Sequence, residues 1–383
     1  CGMADVAAET GDRGLLAACE RLWQSIATRR MLVTGGVGTN PRDEGFTFDY
    51  DLPDEWAYAE TCAAIANVFF NHRMLQITGD AKYADVMERA LYNGVPSGVS
   101  LDGRLFFYSN PLAVHEPQRT VTRGAKGEVW DGLTNHRKAW FGCACCPPNI
   151  ARLYASLGGY VYSTAGRALY VHLYAAGESV AEFAGQRVRV TQETRYPWDG
   201  RIRITLRPAR AVRGTVCLRM PAWCDDADLR VAGKDVNMQR DVRIAQGYVR
   251  ITRLWQPGDV IEFNLAMPVQ RVYAHPEARQ LSGRVALQRG PIVYCLETCD
   301  NAANTLDRIA LPRTAPLKAV FKPALLGGVT VIQGRGLLLG SSDASLYRTA
   351  PPRSTPVKFT AVPYCVWDNR QPGSMRVWLR EIE

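Results

Sequence analysis

Trp140-Phe141-Gly142-Cys143-Ala144-Cys145-Cys146-Pro147-Pro148-Asn149 leads into Ile150, Leu153, Tyr154 and Leu157 at helical spacing, and then into Gly158-Gly159. The reading of the fold turns on this stretch, because apolar residues recur with a period near 3.6 before it and near 2 after it. It also places three of the chain's eleven cysteines within four residues. Cys143 and Cys145 stand two apart and face the same way if the segment is extended, while Cys146 precedes a proline and is pushed toward β or polyproline geometry. An extended segment up to Pro147 is therefore expected. Pro148 suits the first turn of a helix that closes at Gly158-Gly159. Thiols placed at a helix N-terminus meet its partial positive charge, which favours thiolate over thiol. Three readings stand side by side: a metal site, a redox-active thiol pair, or buried cysteines without chemistry.

A partner stretch lies upstream in Ala57-Tyr58-Ala59-Glu60-Thr61-Cys62, again with a carboxylate and a thiol two residues apart. Inside a regular helix these two would diverge. They converge if the helix through Ile65, Phe69 and Leu75 begins at about Thr61. One carboxylate with three thiolates makes a four-coordinate donor set that suits zinc and not calcium or magnesium, which take oxygen ligands.

Outward from these two stretches, residues 1–158 read as helical. Leu15, Cys19, Leu22 and Ile26 form one apolar stripe. Tyr83, Val86, Met87, Ala90 and Leu91 form another, with Asp80 as N-cap and Gly94 as stop. Gly35-Gly36-Val37-Gly38 lacks the following Lys-Ser/Thr of a phosphate loop and reads as a flexible connection. The region Ser97 to Lys138 reads as irregular, with a short hairpin around Leu105 to Tyr108. After Gly159, strands are expected at Ala168–Tyr174, Arg187–Gln192, Arg201–Arg207, Thr215–Met220, Gly247–Thr252 and Val260–Leu265, the pattern of a β-sandwich. A second β-rich segment follows from about Tyr273. The five histidines are scattered singly and read as structural, with His136 the one nearest Cys143 in sequence.

With 383 residues, 47% of them hydrophobic, the chain has room for two or three domains with real cores. Its net charge of +9 is dispersed. In Arg201-Ile202-Arg203-Ile204-Thr205-Leu206-Arg207 the arginines alternate with apolar residues as on a wet sheet face, so nucleic-acid binding is not expected. No run of eighteen apolar residues suggests a membrane span, and Cys1-Gly2-Met3-Ala4-Asp5 does not look like a signal peptide. The odd number of cysteines argues for reduced thiols and a cytoplasmic protein.

Three motifs carry a resemblance. Glu60-Thr61-Cys62, Glu88-Arg89-Ala90-Leu91-Tyr92-Asn93-Gly94 and Cys143-Ala144-Cys145-Cys146-Pro147-Pro148-Asn149 resemble family 127 of the glycoside hydrolases, the β-L-arabinofuranosidases. Echoes at Tyr108-Ser109-Asn110-Pro111-Leu112, Gly290-Pro291-Ile292-Val293-Tyr294 and Val362-Pro363-Tyr364 extend it over nearly the whole chain. The resemblance implies an α+β multidomain fold: part of an (α/α)6 barrel at 1–158, a β-sandwich domain at 159–270 and a second β-rich domain at 271–383. It implies zinc on Glu60, Cys62, Cys145 and Cys146, with Cys145 as nucleophile, and sugar contacts from Glu88 and Tyr108. The general acid/base falls on Glu44 in Arg42-Asp43-Glu44-Gly45-Phe46, where Asp43 replaces a more usual glycine. Without the family, Glu44 reads as a solvated loop residue, although Phe46, Phe48 and Tyr50 could wall it off and keep it protonated.

The expected activity is retaining release of β-L-arabinofuranose, or a related L-furanoside, from an oligosaccharide or glycopeptide, with room for a homodimer. The alternative is a non-catalytic, zinc-stabilised carbohydrate-binding or interaction protein. The helical region holds five or six helices where the barrel needs twelve, so the resemblance also implies a chain opening partway through the barrel. A fragment of that kind is expected to keep its metal site, hydrolyse weakly and aggregate.

Overall fold

A computed structural model describes residues 1–116, 134–301, 306–340 and 346–383. Among these, five α-helices are formed: α1 (Gly2–Thr10), α2 (Arg13–Ser25), α3 (Thr61–Thr78), α4 (Ala81–Arg89) and α5 (Cys146–Ser156). The rest of the regular structure is mostly sheet. No helix is long and apolar enough to cross a membrane.

The chain divides into two compact units, each assembled from separated stretches. The first comprises Cys1–Glu20, Val68–Glu88 and Ala151–Pro268. Two sheets of six and five strands make up most of it. The strand Arg201–Arg207 has the expected bounds, with Ile202, Ile204 and Leu206 at most 2% exposed and its arginines outward. The period-2 pattern works here because one face of the strand meets the core and the other meets water. Strands at Gly177–Phe183 and Ala227–Val231 escape the sequence reading, since polar residues interrupt their alternation. In α4, the Asp80 carboxylate accepts from the Lys82 N–H at 3.0 Å, as an N-cap should.

The second unit comprises Arg21–Asn67, Arg89–Ile150 and Val269–Glu383. It is built on a ten-stranded sheet that takes its strands from 269–382 and one short strand, Ala113–Val114, from far upstream. Two pairs of the sequence motifs turn out to be contact partners. Asn93 donates to the Pro291 carbonyl at 2.8 Å and accepts from the Val293 N–H at 2.7 Å, and the Tyr364 hydroxyl donates to the Pro111 carbonyl at 2.9 Å.

Three local expectations need correction. Leu22 is 49% exposed, while Cys19 and Trp23 are buried and Leu15 and Ile26 partly so, and the inward face of α2 takes Trp23 in place of Leu22. Gly35 is not in a flexible loop. It has φ +77°, and a Cβ there would come within 2.7 Å of the Ala90 backbone, so the glycine serves a close approach of two backbones. Around Leu105 to Tyr108 only isolated bridges form, Val99 with Phe106 and Phe106 with Lys138. Residues 117–133 of that region lie outside the described residues.

Candidate active site

The cluster forms where two chain segments meet within the second unit. Helix α3 begins at Thr61, as the spacing of Glu60 and Cys62 requires. Its start is tied to the segment Phe107–Ser109: the Thr61 N–H donates to the Tyr108 carbonyl at 2.9 Å, the Thr61 hydroxyl donates to the Phe107 carbonyl at 2.8 Å, and Glu60 bridges Ser109. Behind that segment, buried Arg137 donates to the carbonyls of Ser97, Trp367 and Asp368 and lies 4.7 Å over the Phe107 ring. The other arm departs from expectation. Helix α5 begins at Cys146 itself, with Pro147 and Pro148 both inside its first turn, where missing N–H groups leave no bond unmade. The segment before it bends and is not extended, so Cys143 stays exposed and apart while Cys145 turns inward.

The ligand atoms of Glu60, Cys62, Cys145 and Cys146 all lie within 4.8 Å of one another. Cys145 Sγ is 3.3 Å from Glu60 Oε1, Cys62 Sγ is 3.6 Å from Cys146 Sγ, and Cys145 Sγ is 3.7 Å from Cys146 Sγ. Tyr58, Tyr108 and Phe141 wrap the cluster in a small aromatic core. Every cysteine is a free thiol. Burial pushes the Cys145 thiol up to about 12, and the bond to Cys62 together with burial raises Cys146 further. Cys62 alone is lowered, by its bonds to Cys146 and Asn149. Three thiolates and a carboxylate this close can be charged together only around a cation, and the S3O donor set is one that zinc accepts.

A second group, Glu297, Cys299 and Asp300, also converges. There Arg370 already supplies the positive charge, 2.6 Å from Glu297 and 2.7 Å from Asp300.

Tyr108, expected to touch sugar, stands beside the thiols, packed against Tyr58, Cys145 and Cys146. Glu44 is exposed, at φ +50° in the tight loop closed by the Asn40–Gly45 bridge. Phe46 and Phe48 are 39% and 58% exposed and do not wall it off. The loop nevertheless reaches the site, since Gly38 approaches the Tyr58 ring and Glu44 is among the charges that raise the Tyr58 hydroxyl. Glu88 belongs to the first unit and is 2% exposed. Its carboxylate is engaged by Arg219, by the Tyr196 hydroxyl at 2.6 Å and by Trp223 Nε1 at 3.0 Å. His136 pairs with Asp368 and Glu116 and is not part of the thiol cluster.

Motif spacing alone does not single out Tyr58 and Asn149. The usable signals are positional: Tyr58 lies two residues before Glu60, and Asn149 lies one helical turn after Cys146.

Comparison with known proteins gives the same family throughout. Residues 1–159 match the profile described as "Beta-L-arabinofuranosidase, GH127 catalytic domain", 168–267 the GH127 middle domain and 269–380 the family 127 C-terminal domain. A curated relative, the "non-reducing end beta-L-arabinofuranosidase" of Bifidobacterium longum subsp. longum, is 38% identical over 99% of this chain and 57% of its own length. A crystal structure of a GH127 β-L-arabinofuranosidase from Geobacillus stearothermophilus T6 is 48% identical with TM-score 0.92, covering 99% of this chain and 59% of that one. Another GH127 β-arabinofuranosidase structure is 37% identical with TM-score 0.88, covering all of this chain and 58% of that one. The chain thus spans a little under three-fifths of these relatives. Three adjoining profiles of one family, and relatives sharing both fold and a third to a half of the residues, leave one assignment: the chain belongs to glycoside hydrolase family 127.

Proposed function

We propose that this chain carries the catalytic site of a retaining glycoside hydrolase that releases β-L-arabinofuranose or a related L-furanoside from an oligosaccharide or glycopeptide. The observation that carries the reading is the convergence of Glu60, Cys62, Cys145 and Cys146 on one point, with Tyr108 packed beside Cys145. Zinc is the proposed metal. When bound, it would keep the thiols ionised at neutral pH. The proposal retains the three segments 1–158, 159–270 and 271–383 as domains, the first as part of an (α/α)6 barrel.

Cys145 Sγ attacks the anomeric carbon while Glu44 gives its proton to the leaving oxygen. Glu44, now ionised, takes a proton from the water that displaces the sulfur, and two inversions return the original configuration. Retaining enzymes ordinarily use two carboxyl groups about 5–5.5 Å apart, and here a thiolate replaces one. The exposed position of Glu44 suits a group that must exchange protons with water. Tyr108 orients the nucleophilic sulfur. Glu88 keeps the proposed role of a sugar contact, with its carboxylate oriented by Arg219.

The test is metal analysis of the purified protein combined with a panel of nitrophenyl L- and D-furanosides. One equivalent of zinc and nitrophenol release confined to L-furanosides is expected. Zinc retained with no turnover on any furanoside, together with ligand binding, would favour a non-catalytic carbohydrate-binding protein.

A further inference from the structure

The carboxylate of Glu60 is held from both sides, by a thiol and by a phenol. Cys145 Sγ lies 3.3 Å from Glu60 Oε1. The Tyr58 hydroxyl donates to the other oxygen, Glu60 Oε2, at 3.0 Å. The Tyr108 ring packs beside Tyr58, with centroids 6.3 Å apart, and Cys145 packs against the same core. Tyr58 is 1% exposed and Tyr108 4%. The two oxygens of Glu60 are therefore not equivalent: one faces the sulfurs and the other is taken by a phenol. Ser109 borders Glu60 without bonding to it. It stands directly opposite Glu60 across their bridge, so both side chains share a face, and its fully buried hydroxyl has no partner.

A carboxylate beside a metal can offer one oxygen or two. Three thiolates already donate strongly, and a second carboxylate oxygen would make the site five-coordinate. What decides the matter is whether the spare oxygen has another partner, and outer hydrogen bonds of this kind orient metal ligands. We propose that Tyr58 is a positioning residue that occupies Glu60 Oε2 and so presents Glu60 to the metal as a single-oxygen donor. Tyr58 has one proton and gives it to an acceptor-only carboxylate. This role rests on the metal reading above and concerns the chain's own geometry around it.

The experiment loads the purified protein and Tyr58→Phe with cobalt(II), whose visible absorption is intense in four-coordinate sites and weak in five-coordinate ones. Zinc affinity is then measured by competition with a chromophoric chelator. In Tyr58→Phe the cobalt band should lose intensity and zinc should bind about 10–100-fold more weakly. In a Glu60→Cys background, which removes the carboxylate, adding Tyr58→Phe should change neither reading. Circular dichroism of the metal-free proteins checks that each variant is folded. If Tyr58→Phe does not fold, the Tyr108→Phe variant reports instead. It leaves the Tyr58–Glu60 bond in place and should keep the four-coordinate spectrum, and its conversion to the weak spectrum would overturn the assignment. An unchanged spectrum and affinity in Tyr58→Phe would overturn the role of Tyr58 alone. A wild-type protein that takes up neither metal would overturn the metal reading and this proposal with it.

Discussion

Cys143 and Cys145 look alike in the sequence, and the fold separates them: one is exposed, the other packs beside Glu60. Cys143→Ser should therefore leave metal content at the wild-type level and change stability by no more than about 0.5 kcal/mol. Cys62→Ser and Cys146→Ser should each lower metal content sharply. Elemental analysis and urea denaturation of the three variants check this, and loss of metal from Cys143→Ser would show that the cluster is drawn wrongly. Glu44 is tested by substrate. Replacing it with glutamine should slow cleavage of natural furanosides by about 10²–10⁴-fold, the usual worth of a general acid, and slow the first step with nitrophenyl leaving groups much less, because they need little protonation. Equal losses on both would count against it.

Elements explain why those side chains meet. Arg137, its side chain wholly buried, ties Ser97 to Trp367 and Asp368 by four hydrogen bonds and backs the segment carrying Tyr108 through the Phe107 ring. Removing the guanidinium takes the donor from the buried Ser97 and Asp368 carbonyls, while the Asp368 carboxylate keeps His136 and the Arg137 N–H. Arg137→Met should cost about 3–5 kcal/mol in urea unfolding. It should also weaken metal retention, since the Thr61–Tyr108 tie loses its backing. Gly35→Ala should cost about 2–4 kcal/mol, the sum of a left-handed backbone and an overpacked contact with Ala90. The same elements show what a sequence can tell. The strand at Arg201–Arg207 and the start of α3 at Thr61 are legible, because alternation and the need for Glu60 and Cys62 to converge are local constraints. The engagement of Glu88 is not legible, since Arg219 stands 131 residues away and no period connects them. The bend that expels Cys143 is also hidden, because it depends on where Phe141 and Tyr108 pack, 5.8 Å apart edge to face.

At the scale of the whole molecule, stability should depend on pH through two histidines. His115 is raised by its bond to Asp307, with Glu55 adding to it, and His136 is raised by its bond to Asp368, with Glu116 adding to it. A group whose folded value lies above its unfolded one, about 6.5 for histidine, binds its proton more tightly when folded. Its stabilisation is complete below about pH 6.5 and disappears as pH rises through the raised value. The urea midpoint should therefore fall from pH 6 toward pH 9. The double variant His115→Gln/His136→Gln should show a flatter profile over that range. A wild-type profile that rises with pH would contradict the assignment.

The contact between Asn93 and the Pro291–Val293 turn sets a timetable for biosynthesis. The two partners are 200 residues apart in the chain. At about 5–20 residues per second on the ribosome, Asn93 is made roughly 10–40 s before Val293 exists. The stretch from Arg89 to Ile150, which carries Cys145 and Cys146, belongs to one compact unit with Val269–Glu383 and must wait for it. During that interval Cys145 and Cys146 are nascent thiols without their finished surroundings. Whatever shields them from oxidants in the cell has to act before translation ends.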